Sequence, residues 1–315
     1  PDMVEAYKRY RVFLNVNSVK DSPTMLSRRV FELLACGTPV VSTYARGIET
    51  LLGDNGVFLV ATEAEATRIL ERLMHDDDAW ARASALGIRK VLSEHTYAQR
   101  FAEICQRAGL DGPTTKPLGV AVIMPVGAPA DFAAAAELLA AQTYSQFETH
   151  LFAEQELSPD QLERLSNAAR GRPVRYWSRE RNGHNRWSGF METSSAEIVC
   201  SLWTDAAYSP DYLEEAALFF RIPKVDFAGK ACHFEASDGS LRLVGSDEET
   251  CMVASVPSAT VCARRSCLKP EDLKVLLTEP VFQRPAGQIL STCRYNFLSR
   301  GPGGGSVNGQ WRLNG

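Results

Sequence analysis

The sequence contains no Cys-x-x-Cys pair, no histidine at zinc-finger spacing and no strand–Gly-x-Gly-x-x-Gly–helix unit. The first two absences argue against structural zinc. The third removes the fingerprint of a dinucleotide oxidoreductase. Basic residues are not in excess, and a net charge of −4 leaves no electrostatic footprint for nucleic acid. No apolar run approaches the ~18–20 residues of a membrane span. The eight cysteines are scattered, mostly in apolar settings such as LLACGT and EIVCSLW. They read as small buried hydrophobes in a reducing compartment, so a cytoplasmic location is expected.

What remains is a globular composition, 45% apolar and 23% charged over 315 residues, enough chain for two cores. Residues 1–10 already carry a structured pattern behind Pro1, so the expectation is a fragment of a longer protein. From Arg11 to Ala108 the chain alternates. Strands are predicted at 11–16, 39–43 and 56–62, with helices at 23–36, 63–75, 78–93 and 97–108. Such alternation implies a parallel sheet with right-handed crossovers. LDGPTTKPLG (110–119) breaks every pattern and reads as a linker.

A second sheet opens at VAVIMPV (120–126), followed by an alanine-rich helix near 130–142 and strands at 149–153, 173–177 and 197–203. After a helix at 210–220 the pattern turns strand-rich, with turns such as SDG (237–239). The expected fold is therefore α/β throughout: a Rossmann-like domain over 1–109, a linker at 110–118, and an α/β domain with a mixed sheet over 119–300. No repeat relates the two domains. GPGGGSVNGQWRLNG (301–315) is glycine-rich enough to predict a flexible tail.

In the first domain, Ser22-Pro23 is a favourable helix start and Gly37 a favourable stop. Between them Glu32 sits among Phe31, Leu33 and Leu34, with Arg28 four residues and Arg29 three residues before it, so it can pair with either. A helix start in an open α/β sheet suits a diphosphate. A carboxylate further along can accept two hydrogen bonds from a ribose diol, because an ionised acid offers only acceptors. Glu49, after the Arg46–Ile48 turn, falls beyond the next strand, where such folds place ligands. His95 reads as a packing or helix-start residue.

The stretch RRVFELLACGTPVVSTYARGIETLLGDNG (28–56) resembles the donor-nucleotide half of GT-B glycosyltransferases, closest to their spore-maturation-protein-like branch. The resemblance covers about residues 1–108. It implies that Glu32 binds the ribose, with Arg28, Gly47 and Glu49 near the nucleotide, and that no metal is needed there. Many retaining members carry a further glutamate where this chain has Thr24. The partner Rossmann domain that would bring the acceptor is absent from this chain.

VAVIMPVGAPADFAAAAELLAAQTYSQFETHLFAE (120–154), AEIVCSLWTDAAYSPDYLEEAA (196–217) and RYNFL (294–298) resemble family 2 GT-A glycosyltransferases over about 118–300. The resemblance implies a donor site at Pro125, Glu154 and Arg186, and a divalent cation, magnesium or manganese, at an Asp-x-Asp motif. Here that motif is worn. Trp203 takes the first acid position, Thr204 lies between, Asp205 survives and Ala206 follows. Ala153 and Glu154 stand where two aspartates are usual. Asp205 is the expected metal ligand and Glu279 the candidate general base, while Glu271 and Asp272 read as the acidic first turn of a helix. The seven arginines from 164 to 186 can equally form a solvated face.

The expectation is thus a glycosyltransferase moving a sugar from a nucleotide-sugar to a glycan or small-molecule acceptor, with no nucleic acid partner, no membrane span, and a homo-oligomer allowed. Two mechanisms stay open, a metal-dependent site at Asp205 and a metal-free site around Glu32. The alternative is a catalytically inactive module binding nucleotide, glycan or a partner protein. Trp203 packed into the core, with Asp205 turned away from a cleft, would favour it.

Overall fold

The structure, a computed structural model, describes residues 2–113, 116–285, 287–301, 307 and 309–314. The chain divides into two compact units, Pro1–Thr115 and Lys116–Gly315.

The first unit runs α1 (Asp2–Arg9), β1 (Phe13–Asn15), α2 (Arg28–Ala35), β2 (Val40–Thr43), α3 (Arg46–Leu52), β3 (Val57–Val60), α4 (Glu63–His75), α5 (Asp77–Glu94) and α6 (Tyr97–Arg107). The strands pair in parallel in the order β1-β2-β3. On α2 the helical spacing of Val30, Leu33 and Leu34 puts all three in the core with Val40, Ile48, Leu52 and Val57. Burial of those three α2 side chains is worth about 1.5–3 kcal/mol each, far more than any propensity difference over eight residues. Gly37 does end the helix: at φ +77° it takes the left-handed conformation, and the Gly37 and Thr38 amides donate to the Leu34 and Leu33 carbonyls.

Two local expectations are corrected. The helix does not start at Ser22-Pro23 but at Arg28, with Ser27 as N-cap. Ser22 Oγ instead accepts from the Thr24 and Met25 amides, closing a side-chain turn that competes with helix. The Arg46–Glu49 segment is not a turn but the first turn of α3.

The second unit begins with β4 (Val120–Val126), α7 (Pro129–Ala141), β5 (Phe147–Ala153), α8 (Pro159–Ala168), β6 (Val174–Ser178), α9 (Arg179–Asn182), α10 (Arg186–Thr193) and β7 (Ile198–Ser201). It continues with β8 (Ala207–Tyr208), α11 (Tyr212–Phe219), β9 (Phe227–Gly229), β10 (His233–Ser237), β11 (Ser240–Val244), β12 (Met252–Val253), β13 (Ser255–Pro257) and β14 (Cys262–Arg264). The last elements are α12 (Pro270–Thr278), β15 (Val281–Gln283), β16 (Ile289–Ser291) and β17 (Phe297–Arg300).

Among the described residues the main sheet runs β12-β16-β9-β14-β7-β4-β5-β6. Strands β7, β4, β5 and β6 are parallel, and β14 lies antiparallel to both its neighbours. A second sheet, β11-β10-β17-β8, packs the strand-rich half, and β13 pairs with β15. The SDG turn joins β10 to β11, with Asp238 and Gly239 at φ +50° and +75°. The fold is therefore mixed α/β with several sheets, and all eight cysteines are free thiols.

Within 301–315, where a flexible tail is expected, residues 309–314 pack against the second unit. Trp311 and Leu313 are buried. The Asn296 amide donates to the Trp311 carbonyl at 2.7 Å, and Asn296 Oδ1 accepts from the Leu313 amide at 3.0 Å. Residues 302–306, 308 and 315 lie outside the described residues. The buried indole offsets the entropy of ordering residues 309–314.

Candidate functional site

In the first unit Glu32 lies one turn into α2, half-buried, at the wall of an open groove lined by Met3, Tyr7, Arg28, Cys36 and Tyr97. Arg28 Nε lies 2.8 Å from Glu32 Oε1, and the Tyr7 hydroxyl reaches Oε2 at 3.4 Å. The carboxylate thus keeps acceptor capacity on both oxygens. The Arg28 side chain is 77% exposed, so the pair is a weak surface one of a few tenths of a kcal/mol. Arg29 is exposed and is not the partner.

Glu49 is exposed and accepts from the Tyr44 hydroxyl at 2.9 Å, which raises the phenol's pKa. Gly47 is buried under the loop before α2. His95 packs: its ring meets Phe31 edge-on, Nε2 lies 2.9 Å from the Leu51 carbonyl and Nδ1 2.9 Å from Arg100. Burial lowers its pKa, as suits a neutral ring with one donor and one acceptor.

A polar network at the C-terminal edge of this sheet has no counterpart among the sequence candidates. Asn15 Nδ2 and Asn17 Nδ2 each donate to Ser42 Oγ at 3.0 Å. Asn17 Nδ2 also donates to the Thr43 carbonyl, and the Asn17 amide to Thr43 Oγ1. The signal in the sequence is the pair of asparagines in LNVNS, two apart at a strand end, where side chains of one face share an edge.

In the second unit Pro125 sits within β4, opposite Phe152 of β5. Glu154, just past β5, is held by two guanidinium groups. Arg186 Nη2 lies 3.0 Å from Oε1 and Arg179 Nη1 3.3 Å from Oε2. The Arg186 hydrogen bond is the main cause of a lowered Glu154 pKa. Arg186 itself is buried, donates to the Ala153 carbonyl at 3.0 Å and stacks over Trp187. It is no member of a solvated face.

Past β7, Trp203 is built into the protein. Its indole Nε1 donates to the Leu276 carbonyl of α12 at 3.0 Å, and its amide donates to the Tyr208 hydroxyl at 2.9 Å. Asp205 is exposed and takes no hydrogen bond or ion pair from a described residue. Asp131 ties this loop to the one after β4. Its Oδ2 accepts from the Gly127 and Ala128 amides, and its Oδ1 from the Thr204 hydroxyl at 3.3 Å. Glu279 is exposed at the C-cap of α12, three positions beyond Leu276. Asp272 caps the start of α12 and pairs with Arg284 at 2.7 Å.

The topology thus sets Glu154 and Asp205 at the same, C-terminal edge of the parallel strands, with β4 between β5 and β7. That is where open α/β sheets bind ligands. As a resident metal centre the donor set does not fit. Asp131 and Glu154 are engaged, and among the described residues no three His, Cys, Asp or Glu side chains are grouped to hold an ion. No described helix is long and apolar enough to cross a membrane.

No curated protein matches the chain in sequence. Solved structures of S. aureus TarS overlap it in part. TarS 1-349 gives 13% identity and a TM-score of 0.41 over 58% of this chain and 60% of that one. Its complex with UDP-GlcNAc gives 14% and 0.40 over 61% and 60%. The chain thus spans about three fifths of the TarS fragment. Residues 1–106 match the model of the family described as glycosyl transferase-like.

Proposed function

We propose that the protein is a glycosyltransferase that binds the nucleotide of a nucleotide-sugar donor in its first unit, without a metal, through Glu32. The observation that carries this reading is the contrast between two carboxylates. Glu32 stands in an open groove, bound only by an exposed arginine and a tyrosine hydroxyl, inside the segment matched by the glycosyl transferase-like family. Asp205 stands alone, beside a tryptophan that is bonded into α12 where a second metal-binding acid would be needed.

In this reading a ribose diol displaces the Arg28 contact and donates both hydroxyls to Glu32. The acceptor is a glycan or a small molecule.

A second reading places the donor in the second unit. Its support is the exposure of Asp205 at the ligand-binding edge of the parallel strands. There Asp205 would take magnesium or manganese only together with diphosphate oxygens and water, since one carboxylate suffices only with substrate ligands. Pro125, Glu154 and Arg186 would shape the donor end and Glu279 would serve as general base.

Titration calorimetry of UDP and GDP, with and without manganese, separates the readings for wild type, Glu32→Ala and Asp205→Ala. Metal-independent binding lost only in Glu32→Ala is the expected result. Manganese-dependent binding lost only in Asp205→Ala would transfer the donor site to the second unit. No binding under any condition would leave a catalytically inactive module as the better description.

A further inference from the structure

We infer that Cys200 of β7 and Cys262 of β14 are a modification site, a dithiol that hydrogen peroxide closes to a disulfide in the core of the second unit. The two are register partners across the antiparallel pair of β7 and β14, so their side chains leave the same face of the sheet. Both are buried in one apolar cluster with Tyr212, Leu213 and Ala228. The ladder fixes their spacing. The Ser201 amide donates to the Val261 carbonyl at 2.8 Å, and the Arg265 amide to the Glu197 carbonyl at 2.9 Å. Hydrogen-bonded and non-hydrogen-bonded pairs alternate along such a ladder, which puts Cys200 and Cys262 at a non-hydrogen-bonded pair, where facing side chains come closest. Cα atoms at such positions lie about 4.5 Å apart, within the roughly 4.4–6.8 Å that a disulfide spans. Among the described residues no other two cysteines are register partners.

Both thiols are free in the structure. Cys262 also lines a cavity of about 10 Å³, the size of one water, together with Tyr212, Glu215, Lys230 and Thr260. Hydrogen peroxide is scarcely larger than water, whereas glutathione disulfide is far too large to enter. Burial, and after it the Cys262 thiol alongside, hold the Cys200 thiol well above its usual pKa, so the first attack belongs to Cys262. Its sulfur takes one peroxide oxygen as the O–O bond breaks. The thiol proton leaves with the other oxygen as water, and a sulfenic acid remains. The Cys200 sulfur then attacks that of Cys262. The S–S bond forms, the S–O bond breaks, and the Cys200 proton leaves with the hydroxide as a second water. The two sulfurs give up two electrons in all, and one peroxide is reduced to two waters. The bond would tie β14 covalently to the strand that runs into the loop carrying Trp203 and Asp205.

The test exposes the folded full chain to hydrogen peroxide or to glutathione disulfide, blocks the remaining thiols with iodoacetamide, and reads linked peptides by mass spectrometry before and after reduction of the digest. Peroxide should yield a link between Cys200 and Cys262 in wild type and in Cys251→Ala, and none in Cys200→Ala or Cys262→Ala. The Cys251 variant is needed because Cys251 and Cys262 share a tryptic peptide, with no lysine or arginine between them. Glutathione disulfide should yield no link in the folded chain. A bridge restricts the unfolded chain, so peroxide should also raise the melting temperature of wild type and not that of Cys200→Ala. Two cysteines that merely fill the core would stay unlinked while the half-buried Cys36, Cys251 and Cys267 are oxidised, and that result overturns the inference. A link that forms only in denaturant overturns it too, as does one that glutathione disulfide makes as fast as peroxide. Melting curves of the untreated variants check that each folds, and the wild-type link decides the matter if one does not.

Discussion

Replacing Lys230 with methionine should strand a carboxylate in the core of the second unit. Lys230 and Glu215 are both buried. The ammonium lies 2.6 Å from Glu215 Oε1 and also donates to the Cys293 carbonyl at 2.8 Å and Thr292 Oγ1 at 3.2 Å. The other carboxylate oxygen accepts from Asn296 Nδ2. Breaking such a pair from one side costs about 3–5 kcal/mol, because the remaining charge has lost its counterion and cannot reach water. Adding Glu215→Gln to the variant should recover roughly 2 kcal/mol of that loss. The amide is neutral, still accepts from Asn296, and can donate toward the Cys293 carbonyl.

The assay is guanidinium unfolding of the full chain followed by tryptophan fluorescence. Four of the five tryptophans, Trp177, Trp187, Trp203 and Trp311, lie in the second unit. A single-variant loss below about 1 kcal/mol would refute the reasoning. So would a double variant less stable than Lys230→Met.

Other expectations follow from the same geometry. His150 and His233 are buried, and burial lowers the pKa of each. The unfolded chain therefore takes up protons near pH 6.5 that the native state refuses. Stability should be flat above that pH and fall below it by at most about 1.4 kcal/mol per pH unit for each histidine. Melting curves at pH 7.5, 6.5 and 5.5 check this, and His150→Gln should reduce the slope. Trp203→Phe removes the bond to the Leu276 carbonyl and should cost about 1 kcal/mol while leaving nucleotide affinity unchanged in calorimetry; lost affinity would put Trp203 at the ligand. Leu34→Ala opens a cavity in the first core and should cost about 2–5 kcal/mol in thermal or chemical unfolding.

Much of the scaffold was legible because its signals are local. Val120–Val126 is a continuous apolar run, and it is an interior strand buried along almost its whole length, as such a run implies. The spacing of Arg28, Arg29 and Glu32 allowed an ion pair with either arginine, and Arg28 makes it. Ser22-Pro23 misled because a serine beside a proline is as good a turn as a helix cap, and the choice was made by contacts with Arg46 and Gly47, far along the chain. The burial of Lys230 was illegible for a related reason. Its partners come from Glu215 and from the adjacent Thr292 and Cys293, two segments far apart in sequence that no periodicity joins. Trp203 could be seen to replace an acid, but only its bond to Leu276 shows what the replacement does.

The pairing of β17 with β8, Phe297 opposite Tyr208 and Leu298 opposite Ala207, bears on how the chain is made. A ribosome releases the first unit's three strands early, and each finds its neighbour within a few dozen residues. In the second unit, β7 must wait for β14, and the loop carrying Asp205 is braced only when the last strand has emerged. During that interval the edges of β7 and β8 stand open to pairing with another nascent chain. Translation speed between the codons of β7 and β17 should therefore govern how much of the second unit reaches its native state.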